Sequence, residues 1–451
     1  MKIDTSITAE GLKEKLARFW EVSGAKIRAI ESEYDTDKGA PVFTVEGTYT
    51  TRGWTEWTQG FQYGASILQF DATGDEAFLE SGRRNTVEHM APHVTHFGVH
   101  DHGFNNVSTY GNLLRLMNEG VLQENEWERR FYEIALKSSG AVQARRWTEL
   151  PDGLGYVYSF NGPHSLFADT IRSMRALALS HRLGHTYCGE NDVHLSLAER
   201  LVKHAATTAR FIVYYSEGRD AYDVHGRAAH EAIFNLNDGN FRCPSSQQGY
   251  SPFSTWTRGH AWVMLGFAEQ LEFLDTLSAD EPLPCGGREA VREMMLKAAT
   301  ATCDFYIENT PADGVSYWDT GAPGLAQMGD YLDRPADPFN EHEPVDSSAS
   351  AIAAQGLLRL GRVLGEEAGE KYTQAGLTVI SRLLEEPYLS VDPSHQGLLL
   401  HSVYHRPNGW DHIPAGQKVP CGESSMWGDY HIREAALLVG RMGAGEYYRF
   451  F

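Results

Sequence analysis

The segment Gln248-Gly-Tyr-Ser-Pro-Phe-Ser-Thr-Trp256-Thr-Arg258-Gly-His-Ala-Trp262 brings an amide, an indole and a guanidinium together where a loop enters a helix-compatible run. An indole face suits a pyranose ring, a guanidinium fork suits a carboxylate, and an amide both donates to and accepts from hydroxyls. Gln248, Trp256 and Arg258 therefore outline a site for a sugar acid. The competing reading is a helix start flanked by core aromatics.

Two carboxylates, Asp101 and Asp169, stand at similar loop-to-helix entries. A carboxylate pair can supply general acid and base chemistry. The commoner fate of Asp at such a place is to cap the helix. A helix start also lowers a carboxyl pKa whereas a general acid needs it raised, so burial or repulsion between the two would have to win.

The run His93-Val-Thr-His96-Phe-Gly-Val-His100-Asp101-His102 contains possible nitrogen ligands, but its spacing matches no closed zinc motif, and no metal or cofactor is expected. His401, His405 and His412 carry still less metal signal. There is no Walker loop, dinucleotide fingerprint or Gly-x-Ser-x-Gly elbow, so phosphoryl transfer, hydride transfer and serine hydrolysis are unsupported.

A net charge of -21 argues against nucleic acid, anionic membrane surfaces and long polyanions. An anionic ligand should be short and captured by local groups, for which His230 and Arg258 are placed. The chain opens without the basic and apolar regions of a signal peptide, and its five dispersed cysteines suit reduced thiols, so a cytoplasmic location is expected.

These residues need elements to position them. Six loop-to-helix entries begin near Trp57, Asp101, Asp169, Ser254, Asp346 and Ser424, each leading into a run of small and apolar residues. Six amphipathic runs alternate with them: 9 to 31, 74 to 95, 124 to 140, 192 to 215, 287 to 308 and 367 to 386. Five of these carry a bulky and a small residue four apart, such as Phe78/Gly82 and Tyr372/Gly376, as close helix packing requires. Twelve alternating helices predict an all-α fold, an (α/α)6 toroid spanning residues 1 to 451 as one domain, against an open α-solenoid. If the inner helices start at one mouth, Trp57, Asp101, Asp169, Trp256, Arg258, Asp346 and Trp427 converge there. Residues 143 to 160 read as a β-hairpin, and 310 to 345 and 387 to 422 as long loops shaping one rim.

Seven elements in order resemble the unsaturated glucuronyl hydrolases of glycoside hydrolase family 88, with family 105 more distant. They are WTQGF at Trp57, the HDxGF-like element at Asp101, FADT at Asp169, the Gln248 to Trp262 segment, SYWDTGAP at 316 to 323, DSSASAIAAQGLL at 346 to 358, and SMWGDYHIREAAL at 425 to 437. The resemblance implies the same toroid, with Asp169 as general acid/base, Asp101 as assisting carboxylate, and His230, Gln248, Trp256, Arg258 and Trp57 around the sugar acid. It implies hydration of a C4=C5 enol ether in a short unsaturated uronic-acid oligosaccharide, with the C5 carboxylate matched by Arg258 and by His230 if protonated. Pro252 and Phe253 replace residues often acidic in that family, and His260 replaces a common Gln. A saturated β-glucuronidase or a non-catalytic sugar-binding scaffold are the alternatives.

Overall fold

The structure, a computed structural model, describes residues 1–52 and 56–451. Its inner helices are Gln59–Thr73, a broken helix made of His102–Asn106, a π-turn Val107–Gly111 and Asn112–Asn118, the pair Thr170–Ser173 and Arg175–Arg182, then Thr257–Leu274, Ser347–Leu364 and Met426–Gly443. Outer helices alternate with these: Lys13–Glu33, Glu76–His89, Glu126–Arg145, Leu197–Phe211, Arg288–Asn309 and Glu366–Leu383. Each inner helix packs on the next, and the last, Met426–Gly443, packs back on the first, Gln59–Thr73. That contact closes the ring and removes the open solenoid.

The chemistry of the two rings differs because their surroundings differ. Every residue of Thr257–Leu274 is buried, so this inner helix shows no solvent face. Glycine lets the inner helices meet at short range: a Cβ on Gly60 would lie 2.3 Å from Asn105 O, and one on Gly103 would lie 2.3 Å from Ser173 O. These two contacts seat the broken helix that begins at Asp101 between its neighbours. Between rings, a Cβ on Gly82 would strike Ile67 at 2.7 Å and one on Gly376 would strike Leu358 at 2.7 Å, which accounts for the small residues noted in the outer runs.

The inner ring also encloses charge. Arg172 Nε lies 3.0 Å from Glu269, Arg172 Nη2 lies 3.0 Å from Glu434, and Arg359 Nη1 lies 2.7 Å from Glu272, with all these side chains buried. Four different inner helices contribute, so the network ties the ring across itself. Removing one partner of such a pair strands a charge and costs about 3–5 kcal/mol.

Hairpin strands Trp147–Glu149 and Gly155–Val157 pair antiparallel, as expected of residues 143 to 160. A three-stranded sheet, unforeseen from the sequence, joins Ser165–Phe167 to Glu231–Phe234 and that strand to Phe241–Ser245. Its strands are too short to show a period, yet Ala168 N donates to His230 O at 2.8 Å and fixes the approach to Asp169.

Candidate active site

Asp101 and Asp169 both occupy helix N-cap positions, and neither side chain caps its helix. Asp346 and Ser425 do cap theirs, through Ser348 N and Ala349 N and through Gly428 N respectively. The two uncapped carboxylates instead converge on His100. Its Nε2 lies 3.1 Å from Asp169 Oδ2 and 3.9 Å from Asp101 Oδ1. Backbone bonds hold the histidine from below, its carbonyl accepting from Gln143 Nε2 at 2.7 Å and Ser173 Oγ at 2.6 Å. Phe160 stacks on the ring and Phe167 meets it edge-on.

This environment pushes the two acids apart. Burial raises the Asp101 carboxyl, and the His100 charge does not offset it. Burial also acts to raise Asp169, but the charge and hydrogen bond of His100 outweigh it and the pKa is lowered. His100 itself is raised, because the two aspartates overcome its own burial. Asp101 is thus the better proton holder and Asp169 the ionised member, and Asp169 Oδ1 is buried without a partner.

Trp57, Gln248, Trp256 and Arg258 line the same cleft as His100, Asp101 and Asp169. Trp57 stacks on Trp427 with centroids 5.1 Å apart, and Trp427 donates Nε1 to Ser348 Oγ. Trp427 and Asp346 therefore stand one layer behind the lining rather than in it.

Arg258 is not a free fork. Its Nη1 donates to Asp346 Oδ2 at 3.0 Å and to Val403 O, and its Nη2 to Gln248 Oε1 at 3.0 Å and Tyr404 O at 2.8 Å. Four of five guanidinium hydrogens are thereby engaged. Gln248 Oε1 is taken by this bond, so Nε2 is the group this cleft-lining amide has left to donate. Arg258 acts there through the amide it orients and the rings of Trp256 and Trp427 it covers.

His230 departs from expectation in charge. Its Nδ1 accepts from Gln247 N at 2.9 Å and Gln248 N at 3.3 Å, which places the remaining proton on Nε2. Burial lowers its pKa to about 3, so it is a neutral imidazole and not a cation facing a carboxylate. It sits behind Gln248 between Phe167 and Trp256, and its Nε2 is buried without a partner.

Two other histidines of the 93 to 102 run are engaged internally, His93 Nδ1 with Asn105 and His102 with Ser139 Oγ and His96 O. Only His100 reaches the carboxylates. Residues 387 to 422 supply Tyr404, His405 and Trp410 to the cleft wall, as expected of a rim loop. Phe160, Phe167 and Trp262 line the site as apolar packing without having been singled out as site residues, although Phe167 belongs to the FADT element and Trp262 ends the Gln248 to Trp262 segment. His260 faces the outer ring, its Nε2 bonded to Thr302 O at 2.8 Å, and Phe253 stacks on Tyr222, so neither replacement lies in the lining.

No family model matches the chain. Similarity to characterised proteins nevertheless spans most of it. It is 26% identical over 403 residues to an unsaturated glucuronyl hydrolase of Bacillus sp. (strain GL1), covering 87% of this chain and 89% of that protein. This chain is a relative of the unsaturated glucuronyl hydrolases. An unsaturated glucuronyl hydrolase of Formosa agariphila is 24% identical, covering 84% of this chain and 79% of its own. An unsaturated chondroitin disaccharide hydrolase of Streptococcus pyogenes serotype M1 is 24% identical, covering 94% and 91%. Among solved structures, an unsaturated glucuronyl hydrolase specific for heparin superposes with TM-score 0.71 at 17% identity, covering 97% of this chain and 99% of that one. One from Streptococcus agalactiae gives TM-score 0.70 at 19% identity, covering 97% and 94%. These unsaturated glucuronyl hydrolases share the toroidal fold described above.

Proposed function

We propose that this protein removes a 4,5-unsaturated uronic acid from the non-reducing end of short oligosaccharides by hydrating its C4=C5 enol ether. The observation that carries this is the pair of uncapped carboxylates, Asp101 buried and Asp169 partly exposed to the cleft, bridged by His100 within an aromatic cleft. Likeness to relatives named for unsaturated glucuronyl and chondroitin disaccharide substrates supports it.

In this reading the sugar ring lies against Trp57 and Trp256 and meets the Gln248 amide, while His230 stands behind that amide and holds the Gln247 and Gln248 backbone. Entry of a uronate brings a like charge and displaces water beside Asp169, and both favour its neutral acid. His100, hydrogen-bonded to Oδ2, is the adjacent proton source. Asp169 gives its proton to C4, positive charge develops at C5 and the ring oxygen, and a water adds at C5 while its proton returns to Asp169. The resulting hemiketal opens, releasing the aglycone alcohol and a keto sugar acid. Asp101 keeps the neighbouring charge low during proton transfer. A general acid in such a role contributes about 10²- to 10⁴-fold to rate.

Free, dispersed cysteines support a reducing, cytoplasmic setting for this activity. No helix among the described residues is long and apolar enough to cross a membrane. The function is tested by incubating the protein with an unsaturated chondroitin disaccharide and following the ultraviolet absorbance of the enol-uronate. Its disappearance is the expected result, and a flat trace across several linkages would contradict the reading.

A further inference from the structure

Gln248 and Trp256 ride on one loop, residues 246 to 256, whose shape is set by two buried charges of opposite sign. Asp319 Oδ2 accepts from Tyr250 N at 2.8 Å, and its Oδ1 accepts from Gly321 N at 2.8 Å. An isolated antiparallel bridge joins Trp256 to Asp319, flanked by Thr257 N donating to Trp318 O at 3.0 Å and Thr320 N to Thr255 O at 3.0 Å. On the carbonyl side, Arg227 donates Nη1 to Ser254 O at 2.8 Å and Nε to Tyr222 O at 3.0 Å. The carboxylate thus takes a loop amide and the guanidinium a loop carbonyl.

Gly249 makes the carboxylate's approach possible. A Cβ there would lie 2.9 Å from Asp319 Oδ2 and 2.8 Å from Trp256 Cβ. Asp319 is fully buried and is not part of the cleft lining, while Asp101 and Asp169 stand on other elements. Its reach to the site therefore runs through the loop.

We infer that Asp319 is a positioning residue for substrate binding, holding the 246 to 256 loop so that the Gln248 amide and Trp256 indole face the sugar. The inference rests on the proposed function for what the loop holds, but the constraint on the loop is a property of the protein alone.

Asp319→Asn keeps the shape and one acceptor oxygen but turns an NH2 group toward a backbone donor. Gly249→Ala attacks the same contact from the loop side. With unsaturated chondroitin disaccharide, both variants are expected to raise KM by roughly tenfold or more with kcat within about threefold of wild type. Without sugar, amide hydrogen exchange should quicken in residues 249 to 255 while the helix Thr257–Leu274 keeps its protection. A fall in kcat at unchanged KM, or wild-type KM and exchange in both variants, overturns the inference. If Asp319→Asn does not fold, Gly249→Ala decides. If wild type fails to turn over the disaccharide, the functional reading falls, and the exchange comparison still decides whether Asp319 holds the loop.

Discussion

His100 Nε2 lies 3.1 Å from Asp169 Oδ2, and the charge of this ring, with the hydrogen bond it makes, leads the causes that outweigh desolvation and lower the carboxyl pKa. Without His100, desolvation would meet less opposition and the Asp169 pKa would stand higher.

The first prediction follows from that relationship. In His100→Gln the leading causes that lower Asp169 are gone and desolvation meets less opposition, so its pKa rises. The pH above which kcat falls through loss of the Asp169 proton should move upward. Steady-state kinetics across pH measures this, and an unmoved or lowered limb would mean that His100 does not set the charge of Asp169.

Arg258 and Gln248 should separate stability from binding. Arg258 and Asp346 form a buried pair whose side chains are 2% and 0% exposed. Arg258→Met leaves Asp346 without its cation and should cost about 3–5 kcal/mol of stability. Gln248→Ala removes a donor to the cleft and should raise KM with little change in melting temperature. Thermal unfolding together with KM distinguishes them, and an Arg258→Met protein as stable as wild type would contradict the structural role.

Acidification should weaken the fold. Burial lowers His204, His230 and His431 to about 3, and His93, His102, His260, His401 and His405 to about 4. The unfolded chain protonates these groups from about 6.5 downward, whereas the folded chain does not until about 4 or below, so stability falls as pH drops through that window. Asp319 opposes the trend, since burial raises it to about 6 and the fold favours its neutral form. His100, Asp101, Glu269, Asp313, Asp411 and Asp429 are raised as well and oppose the trend with Asp319. An acid acts in this window only if raised to about 5.5 or above, whereas all eight histidines held at about 3 or 4 act across it. Calorimetry should give a lower melting temperature at pH 5.5 than at pH 7.5, and an equal or higher one would show that these rings are not held neutral.

Much of this architecture was legible in the sequence because helix alternation is a long-range pattern. The runs from 287 to 308 and 367 to 386 carry apolar and charged faces over many turns, and they emerge as Arg288–Asn309 and Glu366–Leu383. Closure of the ring was a matter of choice between two architectures, and only the packing of Met426–Gly443 on Gln59–Thr73 decides it. At the site, residue types pointed to Asp101, Asp169, Gln248 and Trp256, and the fold brings them to one cleft. Charge state was not legible. Whether His230 is a cation depends on two backbone amides and full burial, and whether Arg258 offers a fork depends on carbonyls of Val403 and Tyr404 far along the chain. His100 was visible only as part of a histidine run in which His93 and His102 turn inward.

The central claim is that Asp169 delivers the proton to an enol-uronate. It is tested most directly by comparing wild type with Asp169→Asn on an unsaturated chondroitin disaccharide, following the loss of ultraviolet absorbance and confirming by thermal unfolding that the variant is folded. The account predicts rapid loss with wild type and a rate lower by about 10²- to 10⁴-fold with the variant. A folded Asp169→Asn protein that consumes the double bond at the wild-type rate would contradict it.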